Sequence, residues 1–340
     1  MGIQKKLNIK IGKLPSGPKN LITDVNGVKV GHITLDDNHI KTGVTAILPH
    51  TGNIFKEKVM ASSTVINGFG KSMGLVQIEE LGNIETPIIM TNTLSIGTCA
   101  TGLIKYMLNE NDDIGTTTGT VNPVVVECND GFLNDIRGLH VKEEHVLSAI
   151  ENACDTFLEG SVGAGTGMSC FQLKGGIGSS SRVITLDNNN YTVGSLVLSN
   201  FGLMDDLTVN GRKLGKEISK INITETEKGS IIMIVATDIP LSERQLKRIS
   251  KRATISLGRC GSHIGNGSGD ICIAFTTTNK ISHYEENDLV DIKIINENKI
   301  DSVFRAVIES LEESIISSMT HSNPTVGRDD NKRDSILSYL

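Results

Sequence analysis

Runs rich in Val, Ile and Thr alternate with amphipathic stretches along the whole chain, as expected for a domain that contains both strands and helices. Strands are predicted at Gly27–Ile33, Gly43–Leu48, Pro87–Thr91, Pro123–Val126, Thr192–Leu198, Ser230–Thr237 and Ile271–Thr277. Helices are predicted at Ile96–Leu108, Lys142–Phe157, Ser242–Leu257 and Asp301–Ser318. In the third helix, Leu246, Ile249, Ala253 and Leu257 recur at spacings of three and four residues, so they share one face.

The chain is predicted to form a single domain over residues 1–340, of the α+β or α/β class, because no linker or change of composition divides it. The segment Glu217–Lys228 interrupts the pattern, since it is polar and charged and stops abruptly at Gly229-Ser230. The polar tail, residues 322–340, is predicted to be irregular.

The charge balance argues against several classes of partner. The chain has 33 Lys and Arg residues against 39 Asp and Glu residues, a net charge of −6, and it has no basic tract. Aromatic residues make up 4% of the chain and Trp is absent, which argues against stacking on nucleic-acid bases. We therefore expect neither a nucleic acid nor an anionic membrane as the partner.

The six cysteines are scattered, with no CxxC pair and no His at ligand spacing. This pattern argues against structural zinc and against a disulfide framework, and it favours reduced thiols in the cytoplasm. The N-terminal residues are basic but lack the apolar stretch of a signal peptide. No stretch of the sequence approaches the roughly 18 apolar residues of a membrane span. We expect a soluble cytoplasmic protein.

Two nucleotide-binding motifs are incomplete. Gly68–Ser72 ends like a Walker A loop, but Val65 occupies the position of the first required glycine. Gly163–Gly167 is similar to a dinucleotide fingerprint, but Met168 occupies the third glycine position and a predicted helix precedes it. The hydrolase motifs GxSxG and HExxH are absent from the sequence.

Islands rich in Gly, Ser and Asn border the predicted strands. They are Cys128–Asp135, Val162–Arg182, Leu198–Gly202, Lys228–Asp238 and Asn266–Asp270. Each island alone is explained by turns at strand ends. Together they indicate a site, because rigid strands can hold hydroxyls and backbone N–H groups against a ligand.

The junction Gly229-Ser230 is the sharpest chemical signal. A hydroxyl at the first position of an apolar strand suits a nucleophile that is released by self-cleavage. Ser230 would attack the preceding carbonyl, an N-to-O acyl shift would form an ester, and water would release Ser230 with a free α-amine. Such an amine, with a reference pKa of about 7.7–8.0, serves as the base for its own hydroxyl. Gly229 favours this attack because glycine tolerates strained backbone geometry. The alternative is an ordinary Gly-Ser turn.

Ordered blocks over most of the chain resemble the self-processing aminopeptidases of the DmpA type, also described as L-aminopeptidase/D-esterases and β-aminopeptidases. The blocks include VVECNDGFLND, VGAGTGMSCFQLKGGIG, YTVGSLVLSNFG and GNGSGDICIAF. The resemblance implies a four-layer αββα sandwich of the α+β class, similar to the N-terminal-nucleophile hydrolases. It also implies a cut between Gly229 and Ser230, which would leave an α-chain of residues 1–229 and a β-chain of residues 230–340.

The resemblance also implies roles for individual residues. Ser230 is the nucleophile, while Ser268 and Asp270 match the supporting hydroxyl and acid. Asn200 matches the asparagine that donates to the oxyanion of the tetrahedral intermediate. The family's second oxyanion donor is a Tyr, and its position is occupied here by Phe132, which has no hydroxyl.

Substrates of the family carry a free amino group, so an anionic anchor is expected near the acyl pocket. Glu127 is the first candidate and Asp130 the second, although either acid would also suit a structural role at a turn. The Gly-rich segment Gly163–Gly178 is expected beside the nucleophile strand, where it would either lend N–H groups to the site or only pack between layers.

The resulting hypothesis is an aminopeptidase or amidase with an N-terminal serine, which hydrolyses small N-terminal aminoacyl groups from peptides or amides through an acyl-enzyme. The resemblance implies no metal or organic cofactor and implies a homo-oligomer of αβ pairs. Three alternatives stay open. They are a hydrolase of pantetheine-like or ω-amino-acid amides, an acyltransferase related to ornithine acetyltransferase, and a catalytically weak scaffold, for which Phe132 is the motivation.

Overall fold

The computed structural model describes residues 9–218, 229–285 and 287–339. Of the polar segment predicted at Glu217–Lys228, residues 219–228 lie outside these ranges. Within the described ranges, no helix is both long and apolar enough to cross a membrane.

The described residues form fourteen strands and seven α-helices. In chain order, the strands are β1 (Lys29–Asp37), β2 (Ile40–Leu48), β3 (Glu57–Gly68), β4 (Asn83–Ile84), β5 (Ile88–Asn92), β6 (Val124–Cys128), β7 (Ser169–Cys170), β8 (Leu173–Lys174), β9 (Gly176–Leu186), β10 (Asn189–Asn200), β11 (Ser230–Thr237), β12 (Gly269–Ser282), β13 (Thr325–Val326) and β14 (Lys332–Arg333). The α-helices are α1 (Leu75–Leu81), α2 (Ile96–Glu110), α3 (Glu143–Glu151), α4 (Leu214–Ile218), α5 (Glu243–Ser250), α6 (Ala253–Cys260) and α7 (Asp301–Thr320).

Two sheets form the centre of the molecule. The smaller sheet has four strands in the order β1-β2-β5-β6, and the larger has six in the order β4-β3-β12-β11-β10-β9. Most neighbours are antiparallel, but β5 pairs with β6 and β11 pairs with β12 in parallel. The β11–β12 pair lies at the centre of the larger sheet, so it is enclosed by strands on both sides.

The hydrophobic clusters define four layers. One cluster lies between the two sheets and contains Ile47 from β2 and Ile232 from β11. A second joins the outer face of the smaller sheet to α2 and α3. A third joins the outer face of the larger sheet to α5, α6 and α7, and contains Met233 from β11. The αββα sandwich expected from the resemblance is therefore confirmed.

The unbroken apolar run Ser230–Thr237 predicts a strand correctly because β11 is buried on both faces. Its residues alternate between the two cores, because Ile232 and Ile234 face the inter-sheet cluster while Ile231 and Met233 face the helical layer. A strand that is buried on both faces needs apolar residues at every position. Each predicted strand is confirmed, Ser230–Thr237 with the predicted bounds and the other six with shifted bounds.

The long strands β3 and β9 were not predicted, and β9 was missed because it is rich in Ser and Gly. The small residues of β9 and of its neighbour β10 allow α7 to pack closely on the sheet. The Ser195 hydroxyl lies 2.7 Å from that of Ser314, and the Ser199 hydroxyl lies 2.6 Å from that of Ser318. A Cβ on Gly178 in β9 would lie 1.9 Å from the Ser314 carbonyl oxygen. Hydroxyl pairs at the buried helix–sheet contact thus replace the branched side chains that usually identify a strand.

Two helix predictions differ from the structure. The helix predicted at Lys142–Phe157 ends at Glu151, because Cys154 instead makes two backbone hydrogen bonds of 3.0 Å with Val30 at the edge of β1. The helix predicted at Ser242–Leu257 is divided into α5 and α6 by a tightened turn in which Arg252 N donates to the Ile249 carbonyl. The other two helices, α2 and α7, are confirmed.

The tail predicted to be irregular consists of turns, the short strands β13 and β14, and two 3-10 helices. Between β13 and β14, Asp329 and Asp330 both have positive φ, at 54° and 56°. Asp tolerates this left-handed conformation better than most residues. The resulting tight turn folds the tail back on itself.

Replacing Gly178 with alanine tests the close packing of α7. The added Cβ would meet helix backbone, which cannot move like a side-chain end, so we expect the free energy of unfolding to fall by about 1–3 kcal/mol. The control is Gly258→Ala in α6, where a Cβ would meet nothing within 4 Å. This control should be neutral or stabilising by up to about 1 kcal/mol. Equal effects in urea unfolding would contradict the packing argument.

Candidate active site

A cavity of about 1020 Å³ opens where β10, β11 and β12 meet the end of β6. Of the residues predicted for the site, five line it. They are Glu127, Phe132, Asn200, Gly229 and Ser230.

Ser230 begins β11 and is 5% exposed. Its hydroxyl donates to the carbonyl oxygen of Gly229, the residue before it, at 2.7 Å. The backbone N–H of Gly269 in β12 donates to both oxygens. Its nitrogen lies 3.2 Å from the Gly229 carbonyl oxygen and 3.3 Å from Ser230 Oγ. The hydroxyl and the carbonyl of the 229–230 peptide bond are therefore held together beside a shared N–H donor.

Neither Gly229 nor Gly269 has room for a side chain. A Cβ on Gly229 would lie 2.4 Å from the Asn200 carbonyl oxygen, and one on Gly269 would lie 2.7 Å from the Phe69 carbonyl oxygen and 3.2 Å from Ser230 Oγ. Glycine before Ser230 is therefore required by the close approach of the Asn200 backbone.

Ser268 and Asp270 lie on either side of Gly269, and both are buried. Residues two apart on a strand face the same side, and the Ser268 hydroxyl donates to Asp270 Oδ1 at 2.6 Å. Each hydroxyl has one proton, and that of Ser230 is directed to Gly229. In the uncut chain the Ser230 and Ser268 hydroxyls therefore donate to different acceptors.

Asn200 is the last residue of β10 and lies directly opposite Ser230 in the antiparallel register. Its Oδ1 accepts from Ser169 N at 2.8 Å, and its Nδ2 donates to the Asn129 carbonyl at 2.9 Å. A backbone N–H can only donate, so this contact fixes which end of the amide is oxygen. The NH₂ group, a potential oxyanion donor, is held at the cavity.

Phe132 lines the cavity and is 39% exposed. The guanidinium of Arg333 covers its ring at 3.5 Å from the centroid. Arg333 Nε also lies 3.2 Å from Ser169 Oγ, next to the residue that orients Asn200. Arg333 was not predicted for the site, because only the fold brings the tail over this loop.

Glu127 is 3% exposed at the end of β6. Its Oε1 accepts from Lys71 N at 2.9 Å, and Thr93 donates its hydroxyl to Oε2. These donors are neutral, so they hold the carboxylate in place without cancelling its charge. Glu127 thus supplies a fixed negative group at the cavity.

Asp130, the second predicted anchor, does not line the cavity. It is fully buried, and its Oδ1 accepts from Asn134 Nδ2 at 3.0 Å. Burial raises the pKa of Asp130 to about 7. The structure therefore gives this acid an interior position.

Lys174, which was not predicted for the site, holds the Gly-rich segment Gly163–Gly178 in place. Lys174 is completely buried, and its Nζ donates to the carbonyls of Gly165, Met168 and Gly175 at 2.7–3.0 Å. Burial lowers the pKa of Lys174 to about 7. By holding the Met168 carbonyl, Lys174 fixes the backbone from which Ser169 N reaches Asn200.

One group of residues in the described ranges has the geometry of a metal site. The ligand atoms of His39, Asp135 and His140 lie within 4.8 Å of one another. The group is at the surface and does not line the cavity of Ser230.

Comparison with known proteins gives consistent matches. The family description "Peptidase family S58" matches residues 20–333. The chain is 37% identical to the β-peptidyl aminopeptidase BapA of Sphingosinicella microcystinivorans over 336 residues, covering 92% of this chain and 84% of that protein.

Two solved structures have a similar fold. A protein from Pyrococcus horikoshii has a TM-score of 0.94 and 52% identity, covering 99% of this chain and 98% of its own. The L-aminopeptidase D-Ala-esterase/amidase of Ochrobactrum anthropi has a TM-score of 0.90 and 35% identity, covering 96% and 94%. The latter is described as a prototype of the serine aminopeptidases and as a new variant of the Ntn-hydrolase fold.

The variant Asp130→Asn tests the interior position of Asp130 through its pH dependence. The pKa of Asp130 is about 7 in the folded chain, against an ordinary value of 3.8, so the native protein loses stability as pH rises between these values. The variant has no such proton, and its stability relative to the native protein should rise over this window by about 1.4 kcal/mol per pH unit, then level off.

The control for this measurement is Asp187→Asn on the exposed turn between β9 and β10, where φ is +47° and Asn is tolerated. Urea unfolding from pH 4 to pH 8 compares the three proteins. A flat difference between Asp130→Asn and the native chain would contradict the interior placement.

Proposed function

The chain belongs to peptidase family S58, and from this membership and the geometry of its cavity we propose that Ser230 is the N-terminal nucleophile that self-cleavage produces. The protein is a hydrolase of the aminopeptidase type with the N-terminal-nucleophile fold. The observation that carries the proposal is the 2.7 Å contact between Ser230 Oγ and the Gly229 carbonyl oxygen at the cavity wall.

Self-cleavage begins when Ser230 Oγ attacks the Gly229 carbonyl carbon and gives up its proton. The C–N bond to Ser230 then breaks, the nitrogen takes up a proton, and an ester joins Gly229 to Ser230 Oγ. Water hydrolyses this ester, which leaves a carboxylate on Gly229 and a free α-amine on Ser230. The Gly269 N–H, 3.2 Å from the Gly229 oxygen, supports the negative charge that develops there.

Peptide hydrolysis uses the same atoms with a substrate carbonyl in place of that of Gly229. The α-amine of Ser230 takes the hydroxyl proton while Oγ attacks, and returns a proton to the departing amine. Water then attacks the acyl-enzyme, releases the aminoacyl group as an acid and restores the hydroxyl. This cycle needs no redox partner.

The neighbouring residues divide the supporting roles. Asn200 Nδ2 donates to the oxyanion, since the contact with Ser169 N holds the amide in that orientation. The Ser268–Asp270 pair lies beside the position of the new α-amine, because Gly269 pairs with Ser230 in the parallel register. Asp270 balances the ammonium form of that amine, and Ser268 links the two groups.

Glu127 binds the free amino group of the substrate. It is a buried carboxylate that is held by neutral donors and faces the cavity. The substrates are therefore peptides and amides with a small N-terminal aminoacyl group. Relatives that are named as a β-peptidyl aminopeptidase and as an L-aminopeptidase D-Ala-esterase/amidase support this class.

We also place the enzyme in the cytoplasm, as a homo-oligomer of αβ pairs. All six cysteines lie in described residues and no disulfide joins them, as is usual for a reducing compartment. Apolar side chains between 289 and 294 are exposed, with Leu289 at 89% and Val290 at 72%. An exposed apolar patch of this kind is typical of an association surface.

The substitution Ser230→Ala should give a folded chain that is neither cut nor active, because it removes the atom that attacks both carbonyls. Denaturing electrophoresis measures cleavage, and release of p-nitroaniline from L-alanyl and β-alanyl anilides measures hydrolysis. Ser230→Cys, which keeps a nucleophile, is the control and should still be cut. An alanine variant that is still cut after Gly229, or still hydrolyses these substrates, would place the nucleophile elsewhere.

The substitution Phe132→Tyr tests whether the oxyanion site lacks a donor. Loss of one such donor costs about 10²–10³ in rate, so restoring the hydroxyl should raise kcat by at least about tenfold. Phe132→Leu, which removes the ring under Arg333 without adding a donor, is the control and should not raise it. An unchanged or lower kcat for the tyrosine variant would show that another donor already serves the oxyanion.

A further inference from the structure

We propose that the cavity of Ser230 binds an anionic group on the leaving part of the substrate, so that the preferred substrates are short peptides with a free carboxylate close to the scissile bond. The proposal rests on the proposed function and adds the substrate class. Its basis is the charge of the cavity wall.

The cavity wall has the opposite charge to the protein. Among the described residues that line it, Lys71, Arg137, Arg328 and Arg333 are cationic, and Glu127 is the carboxylate. This gives the wall a formal charge of +3, whereas the whole chain carries −6. A concave cationic site on an acidic protein attracts and holds anions.

Three of the four cations, the arginines, belong to a different part of the wall from Glu127. Glu127, in β6, is held by Thr93 after β5 and by the backbone N–H of Lys71 after β3, so Lys71 is the one cation beside it. The arginines lie on the Phe132–Gly138 loop and on the tail that covers it. A short peptide has an ammonium group at one end and a carboxylate at the other, and this arrangement provides a partner for each.

The tail is fastened to the loop by backbone contacts. Arg328 N donates to the Leu133 carbonyl at 2.8 Å, and Asn331 Nδ2 donates to the Phe132 carbonyl at 2.9 Å. A Cβ on Gly327 would lie 2.0 Å from the Leu133 oxygen, so glycine permits this approach. The arginines are thus carried by a segment that is fixed against the cavity, which reduces the entropy lost on binding a ligand.

Arg328 has an unused donor at the cavity. Its Nε is shielded from solvent and has no hydrogen-bond partner in the structure, and Oδ2 of Asp329, its ion-pair partner, is 3.6 Å away. Arg333 adds a second positive charge to the wall, held over the Phe132 ring. Planar guanidinium groups bind carboxylates through two parallel hydrogen bonds.

Matched substrates test the proposal on the native enzyme. Aminoacyl-glycine carries the carboxylate, and aminoacyl-glycinamide replaces it with a neutral group of the same shape; both are made with L-alanyl and β-alanyl groups. Glycinamide is the less basic amine and so the better leaving group, which favours the amide in the absence of a cationic subsite. We expect kcat/KM to be at least about tenfold higher for the carboxylate, with the preference falling as KCl increases.

Substitutions of the cavity arginines identify the residues that bind the substrate carboxylate. Arg328→Gln and Arg137→Gln should each reduce the ratio of the two kcat/KM values several-fold while leaving glycinamide hydrolysis nearly unchanged. The control is Lys332→Gln, which removes a neighbouring exposed cation that pairs with Asp334 and does not line the cavity. Its ratio should equal that of the native enzyme. A native ratio of one or below, or equal effects of the three variants, would overturn the proposal.

Binding of glycine and glycinamide to the native enzyme separates this proposal from the proposed function. These ligands are the leaving parts of the two substrates and have no bond to cleave, so calorimetry gives their dissociation constants, and we expect tighter binding of glycine, which carries the carboxylate. If the native enzyme hydrolyses neither substrate but the binding preference is present, the proposed function fails and the anion subsite stands. If both substrates are hydrolysed equally and the two ligands bind equally, the subsite fails and the proposed function stands.

Discussion

The parallel pairing of β11 with β12 at their first residues is the contact on which the site depends. It brings the Gly269 N–H to 3.2 Å from the Gly229 carbonyl and 3.3 Å from Ser230 Oγ. Because β11 is buried between two cores, its first residue cannot shift without moving both. The position of the nucleophile is therefore set by the packing of the whole sandwich.

Small residues make this packing dense enough to hold the site. Gly229 and Gly269 admit neighbouring backbone at the junction, and Gly178 admits α7 against the larger sheet. Lys174 then fixes the adjacent segment through three carbonyls, which sets the orientation of Asn200 through Ser169. The amide of Asn200 at the cavity is consequently held by backbone groups at both ends, as preorganised catalysis requires.

The sequence predicts those features of the fold that depend on residues close together in the chain. Apolar runs such as β11 are recognisable because burial on both faces demands them. Strand β9 is hidden because its small residues are explained only by a helix more than a hundred residues away. The Gly-Ser junction and the family resemblance point to Ser230 as the proposed nucleophile, and the structure places Asn200 and Glu127 at the same cavity. Arg328, Arg333 and the Gly269 N–H were not predicted, since only the folded chain brings the tail and β12 to the cavity. Asp130 is enclosed while Glu127 lines the cavity, because sequence proximity does not determine which way a side chain faces.

The most direct test of the account is the intact mass of freshly purified native protein under denaturing conditions. The account predicts two chains, residues 1–229 and 230–340, whose masses add up to that of the full chain plus one water, with Ser230 at the new N-terminus. One uncut chain that nevertheless hydrolyses aminoacyl amides, or a cut at another bond, would contradict it.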